Sequence, residues 1–255
     1  MSTVTGKVPA MTTTATSLRI GCAGWSIGSH QKSLFDAGDS MLARYATRLN
    51  AVEINSSFYR SHQASTYARW AASVPTGFRF AVKLPRAITH DARLQKAGDA
   101  LARFADEVAG LGKKLGVVLV QLPPSLAFDA RIAGTFFSML ERRLEVPVAC
   151  EPRHASWFDE RVEALWQRRR IARVAADPAR LPLAAIPGLH GRVTYWRWHG
   201  SPRMYYSAYD DARLAALADE LSNQARRARP AWCIFDNTAH GHAVEDALRL
   251  QALLR

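Results

Sequence analysis

The pattern that decides the fold is seen in Val148-Ala-Cys-Glu-Pro-Arg-His154, a short apolar run that stops on charged residues. The same pattern occurs eight times along the chain. The apolar runs cover residues 19–24, 51–54, 78–82, 117–120, 148–150, 174–176, 194–198 and 232–235. Most of them are separated by a segment with the apolar spacing of an amphipathic helix. Buried strands that alternate with helices indicate a parallel sheet.

The helical segments that follow these runs support a closed barrel. Helical spacing predicts helices over residues 41–49, 65–72, 99–111, 132–144, 161–170, 211–228 and 242–254. The segment 178–191 predicts an irregular loop with at most a short helix. A doubly wound open sheet is disfavoured because the glycines of the first run, Gly21 and Gly24, do not form the G-x-G-x-x-G fingerprint. Eight strands at this chain length predict an α/β fold, a single TIM-type (β/α)8 barrel in which strand 1 lies beside strand 8.

Composition limits the classes of protein that remain. We expect a disordered N-terminal tail over residues 1–17 and one barrel domain over residues 18–255. We also expect a cytoplasmic protein without a membrane partner, since no apolar run approaches the roughly 18 residues of a membrane span. The three cysteines predict buried reduced thiols, with a bond between Cys22 and Cys233 left open. The net charge is +12. Arginines cluster at the predicted helix ends, where they complement the helix dipole or form a basic surface for nucleic acid. These are Arg168, Arg169, Arg170, Arg226, Arg227 and Arg229.

Several strings resemble one family. They are Ile20-Gly-Cys-Ala-Gly-Trp25, Val52-Glu-Ile-Asn-Ser-Ser-Phe-Tyr59, Phe80-Ala-Val-Lys-Leu-Pro85, Gln121-Leu-Pro-Pro-Ser125, Glu151-Pro-Arg-His-Ala-Ser-Trp157, Tyr195-Trp-Arg-Trp-His-Gly200 and Phe235-Asp-Asn-Thr238 with Gly241. Together they resemble the DUF72 family, also called YecE-like or UPF0759 proteins, from about residue 18 to the C-terminus. The resemblance implies a TIM-type barrel and leaves the activity open. Many members have Asn where this chain has Asp236.

Charged side chains at the strand ends are the candidates for chemistry. In parallel barrels the carboxyl ends of the strands meet at one mouth, where active sites lie. The catalytic candidates are Glu53, Lys83, Glu151, Asp177 and His199. Buried carboxylates require partners, so we expect Glu53 or Glu151 to pair with Lys83 or Arg153. Lys83 could also be a desolvated amine that acts as a base or nucleophile. Two interpretations stay open: a catalytic pocket, or a polar network that plugs the barrel.

A second set of residues predicts anion binding. Barrels often bind phosphate after strands 7 and 8, through loop amides, a helix N-terminus and arginine. The substrate- and anion-binding candidates are Asn55, Arg153, Arg197, Gly200, Asn237, Thr238 and Gly241. The alternative is that Arg197 pairs with Asp177 or Asp236 and binds no ligand.

These residues predict an enzyme that acts on a small polar, anionic, phosphate-bearing substrate by Glu, Lys and His acid–base chemistry, without a cofactor or a bound metal. The reaction type stays open. One alternative is a noncatalytic nucleic-acid-binding protein that uses its basic surface. Another is a hydrolase or isomerase with a divalent metal held by Glu53, Glu151, Asp177 and His199. The metal alternative is disfavoured because basic side chains surround those ligands and no H-E-x-x-H motif occurs.

Overall fold

The computed structural model describes residues 18–225 and 229–255 of the chain. The predicted tail at 1–17 and the arginines Arg226 and Arg227 lie outside the described residues.

Parallel strands form the centre of the fold. The described residues contain β1 Leu18–Cys22, β2 Ala51–Ile54, β3 Arg79–Lys83, β4 Leu115–Gln121, β5 Val148–Glu151, β6 Ala172–Arg173, β7 Ala175–Asp177, β8 Thr194–Trp198 and β9 Ala231–Phe235. They pair in the orders β2-β3-β4-β5-β6 and β1-β9-β8-β7. The predicted neighbours, the first and last strands, do pair, with Ile20 opposite Cys233. The fold is a TIM-type (β/α)8 barrel, although its regular ladder is not closed.

The ladder is interrupted at two places. Between β1 and β2 it reduces to one bridge, from Ala23 to Glu53, where the Gly24 amide donates to the Glu53 carbonyl at 2.9 Å. The predicted sixth strand is divided into β6 and β7 around Val174. The Val174 amide still donates to Cys150 of β5, at 2.8 Å, while the Arg173 carbonyl accepts from the Gly188 amide. The loop after β7 therefore takes a hydrogen bond that a continuous ladder would use.

Helices follow the strands as the spacing predicts. They are α1 Met41–Tyr45, α2 Ala64–Ala72, α3 Gly98–Val108, α4 Ala130–Arg143, α5 Glu160–Arg169, α6 Asp211–Ala225 and α7 His242–Leu253. Side-chain caps explain several of the starts: Ser40 accepts from the Ala43 amide and Asp129 from the Ile132 amide. The loop 178–191 contains only the short 3-10 turn Pro182–Ala185.

Strand alternation decides which residues face the barrel interior. One apolar cluster, small in its side chains apart from Tyr195 and Trp232, fills that interior. Its strand members include Ala51, Ala81, Leu119, Ala149, Tyr195 and Ile234. Because side chains alternate along a strand, the residue two positions later points to the same side. This places Glu53, Lys83, Gln121, Glu151, Arg197 and Asp236 directly above the apolar interior, at the carboxyl ends of the strands.

A close approach of β1 to β2 compensates for the missing ladder. The Tyr45 hydroxyl accepts from the Cys22 amide at 2.8 Å and donates to the Ala51 carbonyl at 2.9 Å. A Cβ on Gly21 would lie 2.0 Å from that same carbonyl oxygen. Glycine is therefore required at this position by space, not by backbone torsion.

Two expectations from composition concern the state of the cysteines and the presence of membrane-spanning helices. Cys22, Cys150 and Cys233 are buried and free, so the open alternative of a Cys22–Cys233 bond is wrong. Within the described ranges, every helix is too short or too polar to cross a membrane.

Candidate functional site at the barrel mouth

Arg197 is the centre of a buried charge network. Its Nε lies 3.0 Å from Glu53 Oε2 and its Nη2 lies 2.8 Å from Glu53 Oε1. Nη1 donates to Glu151 Oε2 at 3.3 Å, and Nη2 lies 3.0 Å from Asp236 Oδ2. The guanidinium is fully buried. All three of its nitrogens contact carboxylates, as expected where burying an unpaired charge would cost several kcal/mol.

His199 joins two of the same carboxylates. Its Nε2 lies 3.1 Å from Glu151 Oε1 and its Nδ1 lies 3.0 Å from Asp236 Oδ2. An ionised carboxylate only accepts, so both ring nitrogens donate and the ring is an imidazolium. Burial alone would lower the pKa of His199, but Glu151 and Asp236 outweigh it and raise the pKa. Arg197 Nη1 lies 3.3 Å from Nδ1, a contact that is no hydrogen bond when Nδ1 carries a proton.

Glu151 has the largest number of partners. Arg153 Nε donates to its Oε1 at 3.0 Å, and Gln121 Nε2 donates to its Oε2 at 3.0 Å. Burial alone would raise the pKa of Glu151, but Arg153, His199 and Arg197 hold it well below its usual range. The expected pairing of Glu151 with Arg153 is confirmed. Glu53 pairs instead with Arg197, and Tyr195 adds a hydroxyl that donates to Glu53 Oε2 at 3.0 Å.

Lys83 is the exception to this pairing. It ends β3, it is 4% exposed, and its Nζ lies 4.0 Å from the centroid of the Phe58 ring. Across residues 18–225 and 229–255, its ammonium makes neither an ion pair nor a hydrogen bond with a side chain. Burial, followed by the charge of Arg197, lowers the pKa of Lys83 to about 8, although Glu53, Glu151 and Asp236 act in the opposite direction.

The mouth above the network is lined by Arg153 and His90. Arg153 has 16% of its side chain exposed, and its Nη2 is buried without an aligned acceptor, although it lies 2.9 Å from Glu151 Oε1. His90 packs edge-on against Phe58, and burial, Lys83, Arg153 and Arg86 lower its pKa. A cavity of about 20 Å³ reaches Glu151, Arg153 and His199. That volume holds about one water molecule, so the network itself is closely packed.

Comparison with known proteins identifies the family. The family model described as "Protein of unknown function DUF72" matches residues 19–255. The chain belongs to the DUF72 family. It is 32% identical to UPF0759 protein YecE of Escherichia coli K12 over 140 residues, which are 54% of this chain and 49% of that protein. The chain thus matches about half the length of this curated relative. UPF0759 protein YunF of Bacillus subtilis is 22% identical, over 92% of this chain and 94% of its own.

Solved structures of DUF72 proteins share the fold. A family member from Enterococcus faecalis superposes with a TM-score of 0.78 at 22% identity, covering 93% of this chain and 95% of that one. A member from Thermotoga maritima gives 0.76 at 21% identity, covering 93% and 99%. At these identities the likeness supports the barrel and assigns no activity.

Asp177 does not join the network of this DUF72 protein. Its Oδ1 accepts from the Tyr209 hydroxyl at 3.0 Å, and its Oδ2 pairs with Arg213. The reason is strand alternation: Val174 lies in the barrel interior, whereas Ala175 packs in the cluster under the helices, so Asp177 points outward with Ala175. The four residues of the metal alternative thus do not converge. Within the described residues, no group of three or more His, Cys, Asp or Glu is placed to hold a metal ion.

The predicted anion-binding residues fall in separate places. Arg197 is occupied by three carboxylates, so the alternative in which it pairs with Asp236 matches the geometry. Asn237 Nδ2 donates to the Ser207 carbonyl and to Asp246, and the Gly200 amide donates to the Tyr209 hydroxyl; both brace loops. Thr238 and Gly241 line a cavity of about 410 Å³ beside the start of α7. Asn55 directly follows β2 and has a buried Oδ1 with no hydrogen-bond partner among the described residues.

Three residues of the mouth were not among the predicted site residues. Gln121 ends β4 and Phe58 lies in the short turn Ser56–Phe58 after β2, and their place at the mouth depends on Glu151 and Lys83, both distant in sequence. His90 lies in the short turn Ala87–Asp91, and no spacing rule connects it with Lys83 or Arg153. Counting residues two by two from the interior positions would have assigned Gln121 to the mouth. The same count would have predicted that the Asp177 side chain points away from the barrel interior.

Proposed function

We propose that the protein is an enzyme that binds a small anionic substrate at the barrel mouth and uses Lys83 as a general acid or base. The observation that carries the proposal is the unpaired amine of Lys83 beside a charge network that is complete without it. Phosphate and carboxylate groups are the anions that the mouth residues fit.

The charges of the network balance among themselves. Glu53, Glu151 and Asp236 supply three negative charges, and Arg153, Arg197 and the imidazolium of His199 supply three positive ones. A protonated Lys83 therefore adds one positive charge that no neighbouring carboxylate compensates. An anionic substrate would supply the missing partner, since a buried charge requires one.

Arg153 provides a second contact for such an anion. Burial would lower the pKa of Arg153, but Glu151 and then Tyr205 raise it, and 16% of its side chain is exposed against 1% for Arg197, the other arginine in the network. A guanidinium donor that is held in place by Glu151 on one edge can donate to a phosphate or carboxylate oxygen on the other. The buried carboxylates would then position Arg153 and His199 and would not touch the substrate.

The pKa of Lys83 suits proton transfer near neutral pH. At about 8, both the amine and the ammonium are populated in solution of physiological pH. The neutral amine would accept a proton from a bound substrate, and the anionic group of that substrate would pair with the ammonium that forms. The half-buried His90, with a lowered pKa, is the nearest candidate for a second proton carrier.

The experiment that tests the proposal is conversion of metabolites by matched variants. A cell extract of small molecules is incubated with wild type, with Lys83→Met and with Arg213→Met, and mass spectrometry follows retained and converted species. We expect at least one anionic metabolite to be converted by wild type and by Arg213→Met, and not by Lys83→Met. Equal conversion by Lys83→Met, or no anion retained or converted by wild type, overturns the proposal.

A further inference from the structure

A second cationic site lies at the other end of the barrel. A cavity of about 270 Å³ opens between α4 and α5, at the start of β5 and β6. Its location follows from two lining residues, Val148, which begins β5, and Ile171, which directly precedes β6. The mouth network begins at the opposite end of β5, at Glu151. The cavity is therefore separate from the proposed catalytic site.

Arginine dominates the rim of this cavity. Four arginines line it, Arg168, Arg169, Arg170 and Arg192, against one acid, Glu141. Arg169 Nη1 lies 2.9 Å from Glu141 Oε2, while its Nε is buried without a hydrogen-bond partner. The other three make no ion pair within residues 18–225 and 229–255. The rim thus has three positive charges in excess.

The helix dipole accounts for only part of this cluster. Cations at the end of α5 compensate the partial negative charge of its last carbonyls. The dipole thus accounts for residues 168–170 and not for Arg192, which reaches the cavity from the segment before β8. Compensation of the helix dipole also does not explain why these arginines surround a cavity.

The backbone at Arg170 supports a role in binding. Arg170 ends α5 in the left-handed region, with φ +50°. Glycine is the usual residue there, because a Cβ strains this conformation. Arginine at this position is unfavourable for the helix end, and such strain is found preferentially where a side chain serves a ligand.

Apolar residues form the inner wall. Phe137 and Ile171 are buried, and Val146 and Val148 are partly exposed to the cavity. A guanidinium rim above an apolar wall fits a molecule that combines charged groups with an organic body. Arginine clusters recognise phosphate and carboxylate groups through paired N–H donors.

We infer that this cavity binds a small organic polyanion, with two or more phosphate or carboxylate charges on the arginines and its apolar part against Phe137 and Val148. The site is independent of the proposed chemistry at Lys83. The same cluster could instead attract a nucleic acid strand, which is an outcome of the test and not part of the proposal.

The test uses ATP without magnesium as the probe, in titration calorimetry at about 0.15 M salt. We expect one ATP per chain, and tighter binding of ATP than of tripolyphosphate, because only ATP has an apolar part. Arg168→Ala/Arg192→Ala should weaken ATP binding roughly tenfold or more. Arg60→Ala/Arg103→Ala removes the same charge from exposed arginines on another face and should leave the affinity within about twofold.

Two further variants test the role of Arg170 and the independence of the cavity from the barrel mouth. Arg170→Gly should weaken ATP binding, because it removes a guanidinium that contacts the polyanion. It should also raise the melting temperature, because glycine adopts the left-handed conformation without strain. Lys83→Met should bind ATP as wild type does, since Lys83 lies at the opposite end of the barrel. Equal weakening in both double variants, loss of binding in Lys83→Met, or tight binding of a single-stranded oligonucleotide without binding of ATP overturns the inference.

Discussion

Arg197 and Glu53 form a two-point contact across the barrel, with Nε 3.0 Å from Oε2 and Nη2 2.8 Å from Oε1, and neither side chain exposed to solvent. The two residues stand on β8 and β2, which are not neighbours in either sheet. The contact thus connects the two sheets across the barrel mouth. Because both side chains are buried, removing one of them tests how much the network contributes to the free energy of unfolding.

Arg197→Met should destabilise the protein strongly. The change leaves Glu53, Glu151 and Asp236 buried without the guanidinium that compensates them, and breaking a buried pair typically costs about 3–5 kcal/mol. Urea unfolding followed by circular dichroism measures the free energy of unfolding. If Arg197→Met does not fold, the free energy of unfolding is measured for Glu53→Gln, which removes one charge of the network and keeps the size of the side chain.

Arg213→Met is the matched control for that measurement. Arg213 also pairs with a carboxylate, that of Asp177, but 46% of its side chain is exposed. Exposed pairs contribute at most about 1 kcal/mol, so the loss should be small. Equal losses in Arg197→Met and Arg213→Met would contradict the picture of a buried, mutually dependent network.

His199 should make stability depend on pH. Its pKa is raised in the folded protein by Glu151 and Asp236. A raised pKa contributes stability that is fully present below the unfolded-state value of about 6.5 and is lost as pH rises through the folded value. His199→Gln should therefore lose more stability at pH 6 than at pH 9, relative to wild type. A constant difference between the two proteins across this range would show that the ring is neutral in the folded state.

The sequence was sufficient for the barrel because its signals are local. Each apolar run and each helical spacing is contained within at most 18 residues, and the first and last strands pair as predicted. The division of the sixth strand was not predictable in this way. It depends on Gly188, in a loop, donating to Arg173, and nothing in the run 174–176 reports that contact.

Partner choice within the site was the part that the sequence could not determine. The positions of these residues at strand ends correctly predicted that they lie together at the mouth: Glu53, Lys83, Glu151, Arg197 and His199. The pairing of Glu53 with Arg197, and not with Lys83, depends on the stagger of strands that are 144 residues apart. Lys83 is left without a carboxylate for the same nonlocal reason.

Gly21→Ala should disturb the junction of β1 and β2. An alanine Cβ would lie 2.0 Å from the Ala51 carbonyl oxygen, a backbone atom that cannot turn away as a flexible side chain could. Overpacking of this kind costs about 1–3 kcal/mol and occasionally more. Gly77→Ala is the control, because its Cβ would meet no atom within 4 Å, and should change stability by about 0.5 kcal/mol or less. Thermal unfolding of both variants checks the prediction, and an unchanged melting temperature for Gly21→Ala would mean that β1 can shift away from β2.

Lys83 should titrate near pH 8, well below the 10.5 of an ordinary lysine. The chain has six lysines, so the ¹³Cε signals of protein labelled with ¹³C-lysine can be resolved, and Lys83→Met assigns the one that disappears. A lowered pKa means that folding disfavours the ammonium, a penalty fully present below pH 8 and relieved as pH rises from about 8 towards 10.5. Lys83→Met removes that penalty and should raise the free energy of unfolding at pH 7 by up to about 3 kcal/mol, while at pH 10.5 the gain should shrink. A Lys83 signal that titrates above pH 10, together with a variant that is less stable than wild type at pH 7, would mean that the ammonium has a stabilising partner and that the amine is not poised for proton transfer.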